Sequence, residues 1–411
     1  MLRVMQPNPQ LTRQKLWAAR QTMPQRLARP SKLRKISLNR LEAAIAKQLS
    51  SGENINDEMF ALAGLTRLEY VFFYPETGDI VIAGPAEGFA EDAVGRIVGV
   101  ETGKPCLRLD DLVVALRAFA PQAKATNVIS VSIDPTQEGL ARMQQAIRQL
   151  AANFRGPQDT PVVLQTLKQS LGMNEVTIKG ISPATHFAHV LTEADYRMKL
   201  IGIGRQAPPV RNLISYASQI GSGSTNALMR WYFVPNYEAI AANDDMTAMK
   251  LTGKGLKLID ENEFVTSDGQ RKKSTRPNPA SKRYTTSFTK HFNAVAAVDP
   301  VYAELRNLVD LTIAAAFIQK QDFYTEAGWD LGTLGSESAL PVQTLPEPRQ
   351  VETAVNAILK GNRLITPIGG GVAIQPRKAL EEENVARDAG LGNAKASVSL
   401  SELADGQWWW D

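Results

Sequence analysis

Apolar positions recur along the chain with two different periods, and the change between them marks the elements. Behind Ser37, a suitable helix cap, Leu38, Leu41, Ile45 and Leu49 fall three and four apart, which predicts an amphipathic helix ending near residues 50–52. A short helix is predicted over residues 56–63. Residues 68–73 and 79–83 then read as two strands joined by a turn containing Pro75-Glu76-Thr77-Gly78, which makes a hairpin. Asp110 and Asp111 favour the start of a helix over residues 112–119. A β-branched run at 127–133 predicts a strand, and Asp134-Pro135-Thr136 opens a long helix to about residue 153. Helix at 160–171, strand at 175–179 and helix at 185–200 follow. The order predicts an α/β or α+β body with mixed sheets and packed helices.

Punctuation then suggests a division. Pro208-Pro209 and Gly221-Ser222-Gly223-Ser224 flank a short piece, so domains are expected over residues 37–207 and 225–377. Past that boundary, residues 230–234 and 246–251 read as strands of a second sheet, 267–283 as a polar loop, and 288–298 and 301–320 as helices. Leu305, Leu308 and Leu311 of the last helix are expected in a core. Residues 378–388 read as a charged helix inside a C-terminal tail, 378–411, that ends on Trp408-Trp409-Trp410-Asp411.

Charge changes this picture at one end. The 411 residues carry 46 bases and 42 acids, a net charge of +4, yet residues 1–41 hold ten bases and no acid. The remainder is therefore net −6. Residues 1–36 read as a basic N-terminal arm with a helical stretch over 11–22 and too few apolar positions to hold itself down, so it is mobile or bound to something. A 44% hydrophobic, 21% charged chain excludes disorder throughout.

Candidate chemistry is sparse. The single cysteine, Cys106, excludes an internal disulfide and multi-cysteine zinc sites, and a packed thiol is preferred over a nucleophile. His186, His189 and Glu193 share one helix face and could hold a metal, but a solvated or locally hydrogen-bonded face is the preferred reading. No metal or other cofactor is expected. Gly202 to Ala207 fits a dinucleotide fingerprint without its strand-turn-helix context, and Gly369-Gly370-Gly371 reads as a bulge or tight turn. Glu138 with Arg142, Asp195 with Lys199 and Glu383 with Arg387 read as exposed helical pairs. Arg271, Lys272, Lys273, Arg276, Lys282 and Arg283 read as a solvated basic loop rather than a nucleic-acid contact. No apolar run reaches the ~18 to 20 residues that would cross a membrane, and no secretion signal is evident.

Several stretches resemble an uncharacterised planctomycete family of proteins of unknown function. They are KLRKISLNRLEAA at 32–44, the segment 70–88 with its AGPAEG, LDDLVVAL at 109–116, SIDPTQEGL at 132–140, ADYRMK at 194–199, RWYFVPNYE at 230–238 and AELRNLVDL at 303–311. The resemblance carries no catalytic residue. It implies the cell envelope or periplasm if Met1 is a processed or misassigned start, and otherwise the cytoplasm.

The leading expectation is a non-enzymatic envelope-associated structural or scaffold protein that self-assembles or binds a protein partner. Arg13, Arg20, Arg34 and Lys35 of the arm and Trp408, Trp409 and Trp410 of the tail are the expected contact residues. The rival is an enzyme with a pocket between the two halves, near His186, Tyr196, Arg230 and Tyr232, possible with a metal. Nucleic-acid binding ranks third.

Overall fold

A computed structural model describes residues 8–124, 126–153, 155–220, 227–236, 240–266, 268, 270–273, 278–358, 363–365, 367–396, 400 and 403–411. Local signals hold where the neighbours along the chain suffice to make an element. Ser37 accepts a hydrogen bond from the Arg40 amide at 3.4 Å and opens the Leu38–Ser50 helix, which buries Leu38, Leu41 and Ile45. Tyr70–Tyr74 pairs antiparallel with Asp79–Ala86 as the expected hairpin. The helices Leu109–Ala118, Gln137–Asn153, Thr160–Leu171 and His186–Gly202 and the strands Ile129–Pro135 and Met173–Lys179 also follow the hydrophobic pattern.

The fold is mixed α/β. Among the described residues the strands form two seven-stranded sheets and two small hairpins. The first sheet runs, in spatial order, Val385–Arg387, Ile240–Ala242, Ala248–Leu251, Tyr70–Tyr74, Asp79–Ala86, Ser31–Ser37 and Trp409–Trp410. The second runs Arg271–Lys273, Leu256–Val265, Ala227–Pro235, Pro367–Ile374, Ile129–Pro135, Met173–Lys179 and Gln350–Glu352. Each sheet takes strands from both sides of residues 208–224, so the punctuation there divides neither. Proline and glycine report a surface connection, whereas strand partners lie far apart in sequence and leave no local mark. For the same reason the two strands expected together past the boundary part company: 227–235 joins the second sheet and 248–251 the first.

Three other expectations change. The charged segment near 378–388 is a short Pro376–Ala379 helix, a turn, and a strand Val385–Arg387 that pairs parallel with Ile240–Ala242. The basic segment 267–283 is not simply a loop, since Arg271–Lys273 is an edge strand and the Pro279–Val298 helix begins before Lys282. The N-terminal arm ends early. Asn8 caps a Pro9–Thr22 helix through its side chain, but Ser31–Ser37 is an interior strand between Asp79–Ala86 and Trp409–Trp410.

At the centre, the Pro300–Lys320 helix is buried from Val301 to Ile318 except at Arg306. Its Ile313–Ile318 run is apolar on all sides and has to be enclosed on all sides, while Glu304, Asn307 and Asp310 are buried in its first half. Leu305, Leu308 and Leu311 are in that core, as expected. The first sheet is covered on both faces. Ile36, Val71, Phe73, Ile80 and Ile82 face the main core, while Phe72, Tyr74, Val81 and Ala83 face a second apolar cluster with Leu391 and Leu400. Alternation along the last strand sends Trp409 into the first cluster and Trp410 into the second. Three adjacent tryptophans cannot share a face; a sheet with two covered faces buries them all.

Candidate functional site

The contact residues expected at the two termini meet one another inside the fold. Arg34 is fully buried, its guanidinium donating to Asp411 at 2.8 and 3.1 Å, to the Ala63 carbonyl at 2.7 Å and to the Arg29 carbonyl at 3.0 Å. Its Cζ stands 4.3 Å over the Trp409 ring, with Arg26 4.4 Å from the same ring. Lys35 is buried in register with Trp410, and burial, partly opposed by Asp411, pulls its pKa down. Arg20 forms an ion pair with Glu101 on the body, beside Lys15 donating to the Asp92 carbonyl at 3.1 Å. Arg13 and Arg20 both keep exposed positions, Arg13 bonded to the Pro9 carbonyl within its own helix. The basic arm thus meets the acidic body within one chain.

The densest set of ionisable groups lies elsewhere, along the His186–Gly202 helix. Thr185 caps this helix, and its sequence places His186, Glu193 and Arg197 on one stripe. That stripe faces the Leu109–Ala118 helix, the start of the Pro300–Lys320 helix and the turn at 92–96. His186 Nδ1 donates to Asp111 at 2.9 Å. Arg96 donates to Glu304 at 3.1 Å and to Glu193 at 3.1 Å. Arg197 bridges Glu193, at 3.3 Å, and Asp299. Asp92 holds the Arg96 turn by accepting from the Val94 and Arg96 amides at 2.8 and 2.9 Å, and the Ala93 amide donates to Thr12 of the N-terminal helix.

Four carboxylates, Asp111, Glu193, Asp299 and Glu304, here face two guanidiniums and one imidazole. That excess of negative charge suits a protonated His186. Burial opposes the imidazolium, but the charge and hydrogen bond of Asp111 outweigh it, and the His186 pKa is raised. Glu304 and Asp299 are both raised by burial, against the pull of Arg96 and Arg197 respectively. The opposite side of the helix carries another charged pair. Asp195 is fully buried and Lys199 nearly so, with Nζ 2.7 Å from Asp195 and 2.9 Å from the Ile133 carbonyl. Burial pushes the Asp195 carboxyl up to about 6. An i, i+4 spacing that read as a surface pair is interior, because Asp195 and Lys199 face the Ile129–Pro135 strand, away from the partly exposed stripe of His189, Glu193, Tyr196 and Leu200.

The proposed metal face is divided among other partners. His189 Nε2 donates to the Pro346 carbonyl at 2.7 Å, His186 is held by Asp111, and Glu193 by two arginines. Among the described residues no group of histidine, cysteine and carboxylates could hold a metal ion. Of His186, Tyr196, Arg230 and Tyr232, the last two meet each other, while His186 is held by Asp111. Arg230 lies 3.4 Å from Asp134 and over the Tyr232 ring, while Tyr196 has Glu352 and Arg205 as its charged neighbours. Cys106 is buried, and burial followed by the charge of Glu87 pushes its thiol pKa far up, which removes nucleophilic character. Gly369 and Gly370 form the expected bulge, where the register shifts between Pro367 and Gly370. A Cβ on Gly370, at φ +129°, would lie 2.1 Å from the Trp231 carbonyl oxygen.

Sequence spacing had singled out His186 and Glu193 without their partners. Arg96, Asp299 and Glu304 gave no local signal, because an arginine in a turn, an aspartate before a proline and a glutamate two residues ahead of Arg306 read like any surface charge.

The chain is thus a mixed α/β protein with an ionic cluster at the centre of its helical layer. A family described as "Protein of unknown function (DUF1598)" matches residues 131–216, which include the whole His186–Gly202 helix. No curated protein and no solved structure matches the chain. Among the described residues no helix is long and apolar enough to cross a membrane.

Proposed function

We propose that the chain is a non-enzymatic structural protein that binds a second copy of itself through the outer face of the Pro9–Thr22 helix. One observation carries this reading. Trp17 is 66% exposed, whereas Trp231, Trp329, Trp408, Trp409 and Trp410 are all buried. Leu11, 45% exposed, and Arg13 lie on the same helix, and no side chain of that helix is buried. An exposed tryptophan beside an arginine is the usual composition of an interface anchor. A basic helix also suits the net-acidic body of another copy. The tail tryptophans, Arg34 and Lys35 serve the chain's own fold in this reading, and Trp17 and Arg13 replace them. The envelope location and the planctomycete kinship rest on the resemblance of the stretches quoted above.

Light scattering tests the reading. Deleting residues 1–36 would remove an interior strand, so Trp17→Glu and Arg13→Glu are the appropriate variants. The expected result is a wild-type oligomer that falls to monomer mass in Trp17→Glu with an unchanged circular dichroism spectrum. A monomeric wild type, or an oligomer indifferent to both variants, overturns it.

A second reading, an enzyme, has the His186 cluster in its favour. Asp111 fixes Nδ1 of the imidazole and leaves Nε2 for proton transfer, with Glu304, whose pKa is raised, in the same cluster. A panel of ester, phosphoester and glycoside substrates tests it: turnover that disappears in His186→Asn supports this reading, and turnover that survives, or none with any substrate, removes it.

A further inference from the structure

Away from both regions, a groove of about 470 Å³ opens between the Pro279–Val298 helix and the segment around Asn212 to Ile214. Lys282, Arg283, Lys290 and His291 line it, with Thr286 and Ser287 between them. These are two adjacent rows of one helix, 282, 286, 290 and 283, 287, 291, spaced by four. At 1.5 Å per residue the basic groups at the two ends stand roughly 12 Å apart along the helix.

Four observations give the groove its chemistry. Among the described residues no carboxylate lines it. Lys282, Arg283 and Lys290 make no ion pair among the described residues, whereas Arg20, Arg26, Arg34, Arg40, Arg96 and Arg197 each do. The far wall is fixed, because the Ile214 amide donates to Ser287 Oγ at 3.2 Å and Leu213 beside it is buried. His291 is fixed too, its Nδ1 donating to the Ser287 carbonyl at 2.9 Å, which leaves Nε2 as its other ring nitrogen. Lys282 and Arg283 are neighbours and Lys290 lies two turns further on, all exposed, so an anion lying along the row meets three bases with no carboxylate among the described lining residues to compete for them.

We infer that this groove binds a phosphate-bearing small molecule, with Lys282, Arg283 and Lys290 on its phosphate oxygens. Lysine and arginine donate charge-assisted hydrogen bonds to phosphate, and the Thr286 hydroxyl supplies a neutral donor between them. Exposed Ile214 gives the non-phosphate part of the ligand an apolar wall. A volume of about 470 Å³ suits a small ligand. A single-stranded nucleic acid would want aromatic rings for its bases, and no phenylalanine, tyrosine or tryptophan is among the described residues that line the groove.

Titration calorimetry at low salt tests this with inorganic phosphate and fructose 1,6-bisphosphate as probes, against wild type, Lys290→Glu, Arg283→Ala and Lys47→Glu. Lys47 is exposed on another helix and controls for the same change of charge. The expected result is bisphosphate binding at least tenfold tighter than inorganic phosphate, weakened at least tenfold by Lys290→Glu and by Arg283→Ala, and unchanged in Lys47→Glu. Absence of binding by the bisphosphate at millimolar concentration overturns the inference, as does equal loss in Lys47→Glu or no loss in the groove variants. A single-stranded DNA 20-mer that binds tenfold tighter than the bisphosphate and displaces it would assign the face to a polymer and overturn it too.

Discussion

The His186 cluster and the groove on the Pro279–Val298 helix use the same residue types to opposite ends. Around His186 each charged group has an opposite partner within hydrogen-bond reach, supplied by a different element. In the groove, the bases of one helix face collect without a carboxylate among the lining residues. Removing a charge from water is costly unless a partner replaces the water, so buried bases must be matched while half-solvated ones need not be. The difference teaches that partner supply, rather than the number of charges, separates ionic groups that hold a fold from those left for a ligand.

The widest separation between the two regions is expected in stability. Arg197→Ala strips Asp299 and Glu193 of a shared buried partner and is expected to cost about 3–5 kcal/mol in urea unfolding. Lys290→Glu in the groove is expected to change stability by about 0.5 kcal/mol or less. Comparable losses in the two variants would break the comparison.

A smaller effect lies in pH. Asp310 is fully buried between Arg67 and Arg306, and burial pushes its pKa up to about 6. The native state then holds this proton while an unfolded aspartate, near 3.9, has lost it. More protons bound to the native state mean stability that declines as pH rises from about 4 to 6, on the order of 3 kcal/mol for this group. Asp195, also pushed up to about 6, adds a decline over the same range, so urea midpoints should show it and Asp310→Asn should make it shallower without abolishing it, even though the variant is less stable throughout. His186 adds a decline at higher pH, because its raised pKa gives stability that is present below the unfolded value and lost as pH rises through the folded one. Asp79 opposes both. Burial raises it, but hydrogen bonds from Arg40 and Ser37 prevail and lower its pKa, so its stabilisation is lost as pH falls through the folded value. A pH profile with no decline on the alkaline side in wild type, or an unchanged one in His186→Asn, would contradict the assignment of His186.

The smallest effect should come from the half-exposed pairs that tie the arm to the body. Arg26→Ala removes an ion pair with Glu58 whose arginine is 60% exposed, and exposed pairs contribute only about 0–1 kcal/mol. Thermal melts should show that variant close to Lys290→Glu. A loss as large as that of Arg197→Ala would place the arm with the buried cluster instead.

Reading the chain alone recovers what neighbouring residues control. The Ser37 cap, the hairpin at 70–86, the i, i+3, i+7 stripe of His186 and Glu193, and the apolar Pro300–Lys320 helix all follow from spacing, because helix and strand geometry repeat over a few residues. The basic polarity of the first 41 residues was equally legible.

Where those elements met was decided only by the tertiary structure. A strand inside the presumed arm pairs with the last tryptophans of the chain, and Asp195 and Lys199 change from a surface pair to a buried one because their face of the helix meets the Ile129–Pro135 strand. Arg96 joins His186 from 90 residues before it, and Asp299 and Glu304 from 113 and 118 residues after it. Period and charge belong to the chain, but burial and partnership depend on which distant surfaces close over a residue, and no local pattern encodes that contact.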